Sequence, residues 1–368
     1  MDSATRAQTI PLRLVSIFLA LAALIALLPD VARADDDPKR LTVMTRNLYV
    51  GSSYSHILRA TDQASFIQGT TTFWANVQRS NFRLRARRLA DEVAVAKPDL
   101  IGLQEASLFR VQVPSDPATP ATNVSLDYLA ILREELAARG LTYNVVSEAV
   151  AFEAEAPVLG GPTGLSDVRL TDRDVVLVRA GVRGLVVRSV HSGNYSARVV
   201  LATPVGPLAI TRSWNRVDAE IGGERFRLVN THLEPPDPAV PTSEAVQVAQ
   251  ANELLAGPLA SSLPVIAVGD YNSAADGSTT ATYGLLIGAG FKDAWTAFQP
   301  ANPGRTCCQA ELLDRISLPS ERIDLALTRG PWKTDLAVRT GVLPFRLSPA
   351  PLWASDHFGV FSALRLAR

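Results

Sequence analysis

The chain has 368 residues, 36 of them Lys or Arg and 36 Asp or Glu, with 47% hydrophobic residues and only two cysteines. A net charge of zero leaves no basic excess to bind nucleic acid by charge alone, so any such contact would have to come from a local patch. The length suits one large domain or two small ones.

Arg6 and Arg13 precede an uncharged run from Leu14 to Leu28, and Ala32-Arg33-Ala34 follows. Basic, apolar and small residues in that order predict a secretory signal peptide over residues 1–34. The run is shorter than the roughly 20 apolar residues of a spanning helix, so the expectation is export, secreted or periplasmic, with no stable membrane span after cleavage. Residues 35–368 then read as a single domain, because no Gly-, Ser- or charge-rich linker divides them.

In chain order, Leu41 to Asn47 alternates apolar and polar residues as a strand does. Gly51 to Lys97 is helical in pattern until Pro98 stops it. Arg79, Arg83 and Arg87 fall four residues apart there, with Arg85 and Arg88 nearby, and read as a solvated helix face. Asp99 to Glu105 is a buried strand ending in a carboxylate, and Ser125 to Arg139 is an amphipathic helix with Gly140 as its cap. Tyr143 to Leu233 is strand-rich, its clearest hairpin joining Ala209–Ile221 to Glu224–His232 across Gly222-Gly223. A proline-rich loop leads to a helix over Ser243–Ala256, then to a short apolar strand, Pro264–Gly269, ending in Asp270-Tyr271-Asn272. Strands over Arg322–Thr328, Leu336–Val342 and Ser355–Leu366 complete the chain. The adjacent Cys307 and Cys308 predict a local structural role: a vicinal disulfide closes almost no loop, and two thiols fall short of a zinc site.

Asn47, Glu105, His232, Asp270, Asn272, Asp324, Asp356 and His357 all sit at ends of apolar strands. Each alone has an ordinary explanation, such as a cap or an Asx-turn. Together they are harder to dismiss, since unpaired charge beside a sheet core is expensive. Carboxylate and amide oxygens suit a hard ion such as Mg²⁺ or Mn²⁺, two histidines suit a phosphoryl oxygen, and an acid beside them can deprotonate water. That is an inventory for metal-assisted phosphate-ester hydrolysis.

The ordered set Asn47 in TRN, Gln104-Glu105, Asn230-Thr-His232-Leu, Gly269-Asp270-Tyr-Asn272, Arg322-Ile-Asp324 and Ser355-Asp356-His357 resembles the endonuclease/exonuclease/phosphatase superfamily, with its DNase I-like fold. The resemblance implies a four-layer α/β/β/α sandwich of two mixed, mainly antiparallel sheets. It further implies that Asn47, Glu105 and Asp356 hold the metal and that His232 and His357 contact the scissile phosphate. Asp324 would orient His357, Asp270 would activate water with help from Asn272, and Arg212 would supply another phosphate contact. Tyr271 and Leu325 depart from the usual pattern without altering its chemistry.

The resemblance leaves the substrate open between a phosphodiester of nucleic acid, a phospholipid or sphingomyelin, and a small ester such as an inositol phosphate. A non-catalytic binding protein is a further alternative, against which stands the competent residue at every catalytic position. Loops at Gly51–Ser80, Pro114–Ser125, Pro157–Asp172 and Ala301–Ser320 would discriminate. Tyr54, Phe66, Phe73 and Trp74 in the first would meet a lipid or base, or else pack into the core.

Overall fold

The computed structural model describes residues 37–161, 164–346 and 351–367, so the signal segment of residues 1–34 lies outside the described residues. One sheet has eight strands. Seven lie in the order β15 (Trp332–Thr340), β16 (Gly359–Leu366), β1 (Arg40–Asn47), β2 (Leu100–Gln104), β6 (Leu165–Arg179), β3 (Leu108–Gln112), β4 (Asn123–Asp127), while β5 (Tyr143–Leu159) pairs along β6. The second sheet runs β13 (Lys292–Asp293), β14 (Asp324–Arg329), β12 (Val265–Asp270), β11 (Glu224–His232), β10 (Ser213–Ile221), β7 (Val186–Asn194). Among the described strands, only β1 with β2 and β11 with β12 pair in parallel. A separate ribbon, β8 (Val199–Thr203) with β9 (Gly206–Ile210), belongs to neither sheet.

Period-two alternation assigns the layers. Leu41, Val43, Val176 and Val178 from the first sheet meet Val217, Phe226, Leu228 and Val268 from the second in the inner core. Met44, Ile101 and Leu177 instead face α2 (Gln63–Ser80), α3 (Phe82–Ala96) and α4 (Tyr128–Ala137). Val229, Ala267 and Leu325 face α5 (Ser243–Ala256) and α6 (Thr282–Gly288). The result is the four-layer sandwich expected, completed by the short helices α1 (Ser55–Leu58) and α7 (Ala294–Phe298).

Three expectations change. The helical stretch is broken at Asn81, which adopts φ 49° and caps α3 by accepting from the Leu84 N–H, so Arg79 and Arg83 belong to different helices. Arg85 is fully buried, not solvated. Its guanidinium donates to the carbonyls of Leu48 (2.6 Å), Tyr49 (3.0 Å), Ala354 (3.0 Å) and Ser80 (3.2 Å). Pro157–Asp172 is mostly the β5–β6 hairpin, the strands continuing to either side of Gly160, Gly161 and Gly164. Boundaries also move: β16 begins at Gly359, leaving Ser355, Asp356 and His357 in the preceding loop, and α4 begins at Tyr128 with Asp127 as its cap.

Candidate active site

Register places three of the predicted residues side by side. His232 pairs with Asp270 across β11 and β12, and Asp270 pairs with Asp324 across β12 and β14. Parallel strands this close need Gly269, at φ 153°, because a Cβ there would run into the Thr231 carbonyl. The opposing sheet contributes Asn47, which ends β1 and pairs with Gln104 of β2, and Glu105, which follows Gln104. Glu105 takes φ 55° and Asn272 φ 48°, uncommon conformations for residues with side chains, which turn both out of their strand ends toward one cleft.

The two sheets are joined behind the site by polar bonds. Gln104 Nε2 donates to Asn230 Oδ1 at 2.6 Å, and Asn230 Nδ2 donates to the Leu103 carbonyl at 3.1 Å. Asn47 Nδ2 donates to Glu105 Oε1 (3.0 Å) and Asp270 Oδ2 (3.1 Å), while its Oδ1 accepts from the Tyr49 N–H (2.8 Å). One lone pair of that oxygen stays uncommitted.

The loop before β16 brings in the remaining pair. Ser355 Oγ donates to the Asn47 carbonyl at 2.8 Å, and Arg46 Nη1 donates to the His357 carbonyl at 2.5 Å. His357 Nδ1 lies 2.9 Å from Asp324 Oδ2, leaving Nε2 3.8 Å from Asp270 Oδ2 and 3.9 Å from Asp356 Oδ1. His232 Nε2 lies 3.6 Å from Asp270 Oδ2 and 3.4 Å from Arg212 Nη1, and Arg212 Nε donates to Glu234 Oε2 at 3.0 Å. Asn272 donates its backbone N–H to Asp270 Oδ1 (2.9 Å) and its side-chain amide to the Leu233 carbonyl (2.8 Å), so it fixes the carboxylate of Asp270.

The two histidines are pushed in opposite directions. Burial works against a charged imidazole at His357, but Asp324, Asp356 and Asp270 around it outweigh burial and hold its pKa well above the usual range. At His232 burial, the Arg212 guanidinium and the charge of His357 all act together and push the pKa well down. Only one of the two is therefore a cation at neutral pH. Burial also raises Asp270 to about 7, with Asp324 adding to it, and raises Asp356 to about 6, with Glu105 adding to it.

A hard divalent cation fits this donor set. Glu105 and Asp356 are carboxylate donors near the amide of Asn47, Glu105 raising the pKa of Asp356, and that repulsion is what a cation relieves. Asp324 Oδ1 and His232 Nδ1 are buried without a hydrogen-bond partner in the protein, so the cleft still has polar atoms to satisfy. Asp270, Asp324 and His357 also bring ligand atoms within 4.8 Å of one another. That trio is the poorer site, because His357 Nδ1 is engaged by Asp324 and the imidazole is charged. At the side of Asn47, Glu105 and Asp356 that imidazole is less engaged, its Nε2 standing 3.9 Å from Asp356 Oδ1.

Sequence reasoning missed several neighbours. Asp172 and Asp174 are fully enclosed on one face of β6, Asp172 raised to about 7 by burial and by Glu105, and Asp174 accepting from Ser213 Oγ. Two acids at alternate positions leading into the apolar run Val175–Val178 were the available signal. Glu234, the partner of Arg212, follows the recognised Asn230-Thr-His232-Leu segment. Cys307 and Cys308 form a vicinal disulfide, and Cys307 Sγ stands 3.7 Å from His357 Nε2.

Comparison with known proteins agrees with this geometry. A family model described as Endonuclease/Exonuclease/phosphatase family matches residues 73–357. Among solved structures, a family protein from Bacteroides thetaiotaomicron aligns with TM-score 0.55 at 16% identity, over 89% of this chain and 98% of that one. A humanized D. rerio TDP2 aligns with TM-score 0.52 at 15% identity, over 89% and 99%. The B. thetaiotaomicron mannosyl-6-phosphatase Bt3783 aligns with TM-score 0.50 at 16% identity, over 88% and 99%. No curated protein sequence matches the chain.

Proposed function

Because the chain belongs to the endonuclease/exonuclease/phosphatase family, we propose that it hydrolyses a phosphate ester, a phosphodiester first, with activated water and a divalent cation, Mg²⁺ or Mn²⁺. The observation that carries this is the in-register row His232, Asp270, Asp324 facing Asn47 and Glu105, with His357 locked to Asp324 across it. Glu105, Asp356 and the free lone pair of Asn47 would hold the ion. When bound, the ion supplies charge neutralisation at the phosphoryl oxygens.

The chain's own groups do the rest. His357, oriented and kept charged by Asp324, donates from Nε2 to a phosphoryl oxygen. His232 is a neutral contact for the same phosphate, and Arg212 stands beside it as a fixed cation. Asp270, held by the Asn272 N–H and by Asn47, accepts the proton of the attacking water as oxygen bonds to phosphorus and the ester P–O bond breaks.

The test is a metal-supplemented screen of purified residues 35–368 on plasmid DNA, RNA, sphingomyelin, inositol phosphates and a generic bis-ester. EDTA is expected to abolish turnover, and Asp270→Ala to lower it by orders of magnitude. Full activity of that variant on the best substrate would overturn the assignment; ligand binding without turnover would favour a binding protein. Export by residues 1–34 belongs to the same proposal, supported by their order of basic, apolar and small residues, and checked by the N-terminal mass of the protein recovered outside the cytoplasm.

A further inference from the structure

A cavity of about 630 Å³ opens at Glu105, Asp356 and Arg212 and runs away from the histidines. Its far walls come from α1, α2, the β5–β6 hairpin and the β8–β9 ribbon, with Phe66, Phe73, Phe152, Leu170, Leu201 and Leu208 facing it. We propose that this cavity takes a hydrocarbon chain of the substrate, so that the ester hydrolysed is that of a phosphate-bearing amphiphile. This rests on the phosphoesterase reading above and names the substrate class for the same site.

Three observations carry it. The apolar space is continuous with the cleft, because Glu105 and Asp356, two of the residues that would hold the ion, also line it. Its charge is wrong for a polyanion: among the described lining residues Arg212 is the one cation, already paired with Glu234, against Glu105, Glu155, Asp172, Glu234, Asp237, Glu311 and Asp356. A nucleic-acid strand needs cations along its backbone and open aromatic faces for its bases. Here four of the aromatics are committed to one another, Tyr54 stacked on Phe73 at 5.2 Å and Trp74 against Phe109 at 5.3 Å. Finally, the volume lies within the range of roughly 300–1,000 Å³ that holds a ligand of lipid or drug size, well beyond what a phosphate needs.

The ribbon completes the enclosure. Leu208 and Ile210 of β9 pack on the core beside Phe152 and Val158, and this is the part of the wall that neither main sheet builds. A chain in the cavity would displace little hydrogen-bonded structure, since most of its neighbours are carbon.

The experiment uses methyl, octyl and dodecyl 4-nitrophenyl phosphodiesters, below their micelle concentrations, with Mg²⁺ or Mn²⁺ and the purified protein. kcat/KM is expected to rise by about threefold per methylene until the cavity is filled. Leu201→Asp on the ribbon and Ala154→Phe on the cavity wall should each lower dodecyl-ester turnover tenfold or more and leave the methyl ester within about twofold. If Ala154→Phe melts early, Leu201→Asp decides alone. A flat series with metal-dependent turnover of the methyl ester would overturn the hydrocarbon chain and leave the phosphoesterase reading standing. DNA or RNA turned over faster than every ester would also overturn it, in favour of a polyanion. Metal-dependent turnover of none of these substrates would overturn both.

Discussion

The two ends of the cleft are built in different ways. At the reacting end most polar groups are set by strand register: His232, Asp270 and Asp324 are neighbours because β11, β12 and β14 are, and Asn47 and Glu105 follow from β1 and β2, while Asp356 and His357 come from the loop before β16. At the apolar end the walls are a helix pair, a long hairpin and a detached ribbon, and what they define is a volume. Main-chain hydrogen bonding fixes position to tenths of an ångström, whereas side-chain packing fixes size. Changes at the first end should therefore alter turnover, and changes at the second should alter which substrate is turned over.

The sharpest way to break that division is His357→Ala, expected to lower kcat by about 10²–10⁴ at saturating metal with little change in the metal concentration required. Asp356→Asn should do the reverse, raising the half-saturating metal concentration by about tenfold or more while keeping more of kcat; a metal titration of both variants checks the pair. Similar profiles for the two would mean that metal and phosphate contacts are not separable here.

Arg85→Met comes next, as a test of whether the reacting end depends on support from behind. It removes donors from four buried carbonyls and a cation from the faces of Phe82 (4.9 Å), Tyr49 (5.6 Å) and Tyr128 (5.7 Å). The expected loss is about 3 kcal/mol or more, read by urea unfolding, and turnover should fall even in the fraction that stays folded.

The smallest expected effect concerns Asp172, where the two ends meet. Its pKa is raised from 3.8 to about 7, so the folded state holds its proton more tightly than the unfolded chain. Stability must then fall as pH rises from about 4 to about 7, and the penalty is fully present above that. Asp172→Asn should raise the Tm of EDTA-treated protein by several degrees at pH 8, for a gain of at most about 4 kcal/mol, and change little at pH 4. An equal shift at both values would show that the carboxylate is not the cause.

Much of the reacting end was legible in the sequence, because most of its residues lie at or beside the end of an apolar strand, and strand patterning reports which side chains face one sheet core. Arg85 was not. Its period matches a solvated helix face, and the left-handed Asn81 that redirects α3 inward looks like any polar helix residue. Glycines at 160, 161 and 164 suggested a long loop, when they mark the tip of a hairpin whose strands continue on both sides. Of the cavity only Tyr54, Phe66, Phe73 and Trp74 stood out in the sequence, since the rest of its wall comes from segments as distant as Phe152 and Leu208.

The position of β1, between β16 and β2, also bears on the order in which this molecule can assemble. Arg46 reaches the carbonyl of His357 across 311 residues of sequence, and Ser355 reaches that of Asn47 across 308. Such contacts close large loops, whose entropy must be met before any stabilisation returns, and folding slows accordingly. Until β16 arrives, β1 is an uncovered strand edge able to pair with another chain. A refolding protein should thus recover far-ultraviolet circular dichroism before it recovers turnover, and should aggregate most readily in the interval between the two.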